Sequence, residues 1–537
     1  MAAPPSLDHL YPSGAQRGTE LKVELVGKFD PWPPKLWTNS NSIGLTPLEE
    51  KGKVKLAISE NAVPGVYLVR CYNAEGASEP RFFTVTDEKE TLEKEPNNNA
   101  NETDTKIELP VIINGRLERR GDVDSFAIDL AKGQTLIADL QAYRLRSTVD
   151  ALIQVITPNG IKKAVNHDHF QLDPFLTFQA NESGKHVVQV MGFEYPAKAD
   201  IRFGGGKNYI YRLSLSSGPY VATTLPMALQ ANVNHAMELN GWNLTTDQLS
   251  LTGSHPLASG SATHVHQVPG GNSVEIPVTS FPQLLEHNIT NSLPIPSGLT
   301  GRLEHDQEVD RYTVQLEKDT RYTFSLETQA PIHHLDAWLA IEDADGKELK
   351  RDDDSRKHRD PELTWKATAD GAFRIAVGNL LGTGDATFYY HLASTKSQPR
   401  IVPTLSTSTL TYQPGSTNTI TIDLNRKYGH QNPVRVTAKN VPVSITQTKG
   451  EASEKDKQAK LELIVSETAP PFMGEITFVA EDLETHHSQP VDVTFLGTTI
   501  NNGVPAGFTE LVLEKTDSLW LTIPPQKDDP EEPEANP

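Results

Sequence analysis

Glu93, Glu95, Asn97 and Asn98 put four oxygen-bearing side chains into six residues, and Asp122 and Asp124 follow beyond a strand-like run from Leu109 to Leu117. A hard divalent cation such as Ca²⁺ takes roughly six to eight oxygen ligands from carboxylates, amides and carbonyls. The Glu-x-Glu-x-Asn-Asn run, on an irregular segment, offers ligands of that kind. Asp122 and Asp124 share a face on a straight strand, and on a turn they can converge on one ion. Carboxylates packed this closely repel one another unless a cation or a proton intervenes. The competing reading is an acidic, solvated linker, with Asp124 capping a turn.

A second acidic set is Asp168 with Asp173, matched downstream by Asp352, Asp353 and Asp354 with Asp360. Each set follows a turn, at Asn159-Gly160 or Asp345-Gly346. These residues offer either a further cation site or Asx turns. Other chemistry finds little support. There is no HExxH and no GxSxG, and the 17 histidines include no triplet at metal-ligand spacing. The single cysteine, Cys71, sits in the alternating run Val66 to Tyr72, which suits a buried small hydrophobe. Trp32 and Trp37 lie in a Pro-rich loop, where they either present a platform for sugars or peptides or pack a domain junction. A glycosidase-like carboxylate pair stays open, because its separation is a three-dimensional property.

The elements that must hold these residues are strands. Runs such as Leu21–Leu25, Val54–Ile58, Val66–Val69, Thr419–Leu424 and Lys460–Val465 alternate with period two, between clusters drawn from 36 Gly and 38 Pro. At 537 residues the chain exceeds one domain. The formal net charge of −21 excludes a nucleic-acid partner, whose phosphates demand a basic footprint. No apolar run is long enough to span a bilayer. Met1–Pro5 has no signal-peptide character, so the chain is expected to be either cytosolic or a mature end.

Internal repeats define the layout. Gly115, Arg116, Leu117, Glu118, Val123, Asp124 and Leu130 recur 186 positions later as Gly301, Arg302, Leu303, Glu304, Val309, Asp310 and Leu316. Pro12, Gln16, Glu24, Leu25 and Gly27 recur 214 positions later as Pro226, Gln230, Glu238, Leu239 and Gly241. The chain therefore reads as an all-β protein of five tandem β-sandwiches: 7–86, 93–218, 219–282, 283–396 and 397–525, with 526–537 a disordered acidic tail.

Glu95-Pro96-Asn97-Asn98, Gly115-Arg116-Leu117, Gly121 to Phe126, Lys132-Gly133-Gln134 and Tyr209 to Leu213 together resemble the bacterial pre-peptidase C-terminal (PPC) domain. The second copy keeps Gly301-Arg302-Leu303, Val309 to Tyr312 and Asp370 to Arg374, and lacks the Glu-Pro-Asn-Asn run. Tyr11 to Gly18 and Ala62 to Tyr67 resemble the Ig-like IPT/TIG fold, and the last unit also reads as Ig-like. These resemblances imply jelly-roll-like and Ig-like sandwiches in a secreted, periplasmic or cell-surface bacterial protein. They also imply calcium binding at the linker before the first PPC-like unit. The expected function is non-catalytic: a calcium-stabilised binding or scaffold protein whose partner is an extracellular polymer (polysaccharide or protein) or a cell-surface protein. The alternative is an accessory subunit of a secreted hydrolase, or a hydrolase with a carboxylate site invisible in sequence.

Overall fold

A computed structural model describes residues 3–99, 106–170, 172–194, 202–253, 262–328, 335–354, 360–496 and 512–526. The acidic tail expected to be disordered lies almost wholly outside them, as does the start of the chain. Among the described residues there is no α-helix; two 3₁₀ turns, Tyr143–Leu145 and Glu286–Asn288, interrupt an otherwise all-β chain. Among the described residues no helix is long and apolar enough to cross a membrane.

The strands assemble into paired sheets, and their burial follows the sequence alternation. Lys53–Ile58 and Gln458–Val465 bury every second residue, as half-buried strands must. The chain forms two compact units.

One unit joins residues 3–87 to 399–496 and 512–526. Its first sandwich packs the sheet Ser6–Tyr11, Glu20–Lys28, Lys53–Ile58, Ile43–Pro47 against Gly14–Gln16, Arg81–Thr86, Gly65–Asn73, Lys35–Thr38. Two six-stranded sheets make its second sandwich. The two share a core: Leu68 and Phe82 from the first belong to the apolar cluster built by Leu405, Ile422, Phe478 and Phe495 of the second. Arg70 is 1% exposed at this junction. Its guanidinium lies 5.0 Å from the Trp37 ring and 5.7 Å from the Trp520 ring, and it donates to the Ser408 carbonyl. Trp37 is therefore spent on packing. Trp32 is too: its indole N–H donates to the Leu48 carbonyl, beside Phe29.

The other unit contains both copies of the longer repeat. In the first copy, one sheet runs Glu90–Leu92, Val111–Arg116, Ile210–Ser216, Thr135–Gln141, Phe175–Gln179. The facing sheet runs Lys106–Ile107, Asp124–Leu130, Gly184–Glu194, Val149–Ile156, Lys162–Asn166. The second copy repeats this order, without a counterpart of Lys106–Ile107 among the described residues: Gln283–Leu285, Ser297–Arg302, Tyr389–Lys396, Arg321–Glu327, Glu362–Lys366 in one sheet, and Val309–Leu316, Gly371–Asn379, Ala337–Glu342, Glu348–Asp352 in the other. Two three-stranded sheets, carrying the second occurrence of the shorter repeat, lie between them in sequence.

The structure extends the repeat beyond what the 186-residue spacing reveals. A lead-in strand pairs in parallel with the next strand in both copies, Glu90 opposite Ile112 and Gln283 opposite Gly298. Gln283 and Glu286 stand 193 positions after Glu90 and Glu93. The second copy thus lacks the Glu-Pro-Asn-Asn run while keeping the strand that precedes it.

Candidate metal centre

The motif shared by both copies is first a packing device. Gly115 pairs across the sheet with Tyr211. A Cβ on Gly115 would fall 2.1 Å from the Tyr211 ring, so only glycine lets that ring lie flat over the strand. The ring then reaches the facing sheet, where its hydroxyl donates to Asp124 Oδ2 at 2.5 Å. Asp124 is fully buried and Tyr211 is 1% exposed. Gly301, Tyr390 and Asp310 repeat the arrangement, again with a 2.5 Å hydroxyl–carboxylate bond.

In the first copy this device sits inside a carboxylate cluster. Oxygens of Glu93, Glu95 and Asp124 all lie within 4.8 Å of one another. Among the described residues they form the one group of three or more His, Cys, Asp or Glu side chains so gathered. Glu93 is half-buried just after the lead-in strand and accepts the Arg116 backbone N–H at 2.5 Å. The Tyr211 hydroxyl also lies 3.1 Å from Glu93 Oε2. A phenol has one proton, so it satisfies Glu93 or Asp124 at any moment, not both.

Asn97 completes the cluster. It is 7% exposed, and one end of its amide faces Glu95 Oε1 at 2.9 Å and Asp124 Oδ1 at 3.2 Å. With nitrogen there it donates to both carboxylates; with oxygen there it adds a neutral ligand between two anionic ones. The Asn97 carbonyl accepts the Ser125 N–H, which ties the lead-in segment to the strand beginning at Asp124.

Burial raises the pKa of each acid in the cluster. For Asp124 desolvation is the main cause, followed by the nearby Glu93 charge. Desolvation also dominates for Glu93. Glu95 is pushed up by desolvation and then by Asp122. Three acids each held above their ordinary range form a group that either protons or a cation can neutralise. The donor set is oxygen throughout, which fits a hard ion such as Ca²⁺ and fits poorly the softer metals that seek sulfur or imidazole.

The remaining sequence candidates are not among the three gathered carboxylates. Asp122 is 1% exposed and holds a turn: it accepts the Glu118 N–H at 2.6 Å and the Asn98 side-chain amide, with Arg119 at 3.9 Å. Asp168 is exposed and pairs with His167. Asp173 is fully buried and accepts the backbone N–H groups of Ala142, Tyr143 and Arg144 together with Arg144 Nε. Each of its oxygens carries two donors, so its acceptor capacity is committed to the 3₁₀ turn Tyr143–Leu145. Asp352 accepts the Glu362 N–H and Asp360 the Thr328 hydroxyl, while Asp353 and Asp354 are exposed. Cys71 is fully buried, and desolvation pushes its thiol up to about 12, which leaves it inert.

Tyr211, Gly115 and Glu90 carry the site without standing out as candidates in the sequence. A signal for the first was present: Tyr211-Arg212-Leu213 and Tyr390-His391-Leu392 repeat Tyr-x-Leu in the strand beside Gly-Arg-Leu.

No family model and no curated protein matches the chain. Among solved structures, fibronectin(III)-like modules of Clostridium thermocellum CbhA align at 11% identity over 44% of this chain and 93% of theirs, with a TM-score of 0.14. Tripeptidyl peptidase 2 aligns at 8% identity over 97% of this chain and 40% of that protein, with a TM-score of 0.16. Scores this low carry no argument about fold or function.

Proposed function

We propose that this is a non-catalytic, extracellular scaffold or binding protein whose first PPC-like unit is fastened by calcium. The observation that carries the reading is the all-oxygen cluster of Glu93, Glu95 and Asp124 with the Asn97 amide directed into it. Glu93, Glu95 and Asn97 belong to the lead-in segment and Asp124 to the sandwich, so an ion held by them fastens one to the other. Bound calcium supplies charge neutralisation at this point. The residues supply the rest: Tyr211 orients the buried Asp124, the Arg116 N–H orients the half-buried Glu93, and Glu95 closes the group from the exposed side. A segment pinned this way gives up conformational freedom, and the binding free energy offsets that cost. A rigid, acidic β-surface suits presentation to an extracellular polymer or cell-surface protein.

The test is a thermal melt of the full chain with calcium and with chelator. Calcium should raise the melting temperature of wild type and have much less effect on Glu95→Ala. Identical curves in calcium and chelator would remove the calcium claim. A binding screen against polysaccharides and collagen addresses the partner. Turnover of any such polymer, abolished by one carboxylate substitution, would overturn the non-catalytic reading.

A further inference from the structure

We infer that the Tyr312 hydroxyl does in the second copy what a divalent cation does in the first, so that cation dependence is confined to the first copy and set by the residue at position 126. The inference rests on the calcium reading above.

The two sites can be compared atom by atom, because their strands share one register. Asp124 pairs with Val190 and Phe126 with Val188; Asp310 pairs with Val377 and Tyr312 with Ile375. Tyr211 and Tyr390 cross Gly115 and Gly301 in the same way. Glu93 and Glu286 each accept the backbone N–H of the arginine that follows the glycine, Arg116 or Arg302. Three differences remain. At the offset that maps Glu93 onto Glu286, Glu95 becomes Asn288 and Asn97 becomes Thr290, both exposed. On the facing strand, Phe126 becomes Tyr312.

These changes compensate each other. The second site has lost a carboxylate and an amide and gained a hydroxyl. Tyr312 donates to Glu286 Oε2 at 3.3 Å, its oxygen lies 2.5 Å from the Tyr390 hydroxyl, and Tyr390 donates to Asp310. Tyr312 and Tyr390 thus supply one hydroxyl proton to each of the two carboxylates, Glu286 and Asp310. In the first copy the Tyr211 hydroxyl lies between Glu93 and Asp124, Glu95 stands beside them with the Asn97 amide against Glu95 and Asp124, and position 126 is a phenylalanine, which has no hydroxyl. A buried acid cluster is completed from within by hydroxyl donors or from outside by a cation. The second copy has the first solution built in.

Hydrogen exchange of the full chain, with calcium chloride or with chelator, tests this by region. Calcium at about ten times its dissociation constant should slow exchange roughly ten-fold in Val111–Arg116 and Asp124–Leu130. Ser297–Arg302 and Val309–Leu316 should exchange alike in both conditions. Equal protection of both copies would overturn the inference and leave the calcium reading standing; protection of neither would sink both. Phe126→Tyr should weaken calcium binding by about ten- to a hundred-fold, and wild-type affinity in that variant would again overturn the inference. Tyr312→Phe should speed exchange in Val309–Leu316 with or without calcium, and unchanged exchange there would contradict the role given to its hydroxyl.

Discussion

Arg212 and Glu90 form a buried ion pair, Nη2 to Oε1 at 2.6 Å, with 3% and 5% of their side chains exposed. The pair anchors the lead-in strand of the first copy to the strand Ile210–Ser216, and Asn114 adds a donor to the same carboxylate. At the matching places of the second copy stand His391 and Gln283, a neutral pair joined at 2.9 Å. Breaking a buried ion pair from one side strands the other charge and costs about 3–5 kcal/mol. Glu90→Gln should therefore destabilise the first copy by about that much, and Glu90→Gln with Arg212→His, which imports the neutral pair, should recover most of it. Denaturant-dependent hydrogen exchange in Val111–Arg116 reads both.

The neutral pair gives the second copy its own acid sensitivity. Burial lowers the His391 pKa from 6.5 to about 4. A histidine depressed in the folded state stabilises fully above its unfolded pKa, and that contribution is lost as pH falls through the window from about 6.5 to 4. The full loss is about 3 kcal/mol. Asp310 acts with the opposite sign: desolvation raises it to about 6, so its contribution fades as pH rises through that value. Comparing wild type with His391→Gln across pH 4 to 7 isolates the histidine, and the variant should show the weaker acid destabilisation.

Gly115→Ala and Gly301→Ala should each destabilise their own copy. A Cβ would meet the Tyr211 or Tyr390 ring at 2.1 or 2.4 Å, and overpacking of this kind costs about 1–3 kcal/mol or more. The hydroxyl–carboxylate bond would be displaced with the ring. Exchange rates in Asp124–Leu130 and Val309–Leu316 should rise separately, one for each substitution.

Asp173→Ala should destabilise strongly without touching calcium binding. The substitution leaves three backbone N–H groups and Arg144 Nε without their acceptor, while Arg144 Nη2 keeps Asp139, and it costs about 3–5 kcal/mol. Isothermal titration of the folded variant should return wild-type calcium affinity; a weakened affinity would bring Asp173 into the site.

Much of the architecture was legible because β-structure writes itself in period two. Val54–Ile58 and Lys460–Val465 fall inside the observed strands Lys53–Ile58 and Gln458–Val465, and Gly115 and Gly301 mark equivalent positions. The site was legible only in part. Glu93, Glu95, Asn97 and Asp124 converge, but Asp122 and Asp173 bind turns instead, since a short side chain near its own backbone finds N–H donors that sequence spacing does not display. Tyr211 was hidden for another reason: it lies 87 residues from Asp124, and only sheet register brings the two together. The counterpart of Glu93 was hidden because an offset of 193 replaces 186 before Gly301.

The central claim is that Glu93, Glu95 and Asp124 hold one hard cation. Equilibrium dialysis of the full chain against calcium, after exhaustive chelation, counts the ions directly. The account predicts one ion bound per chain at this site, lost in Glu95→Gln and Asp124→Asn and kept in Asp173→Ala. No bound calcium, or a count unchanged by either cluster substitution, would contradict it.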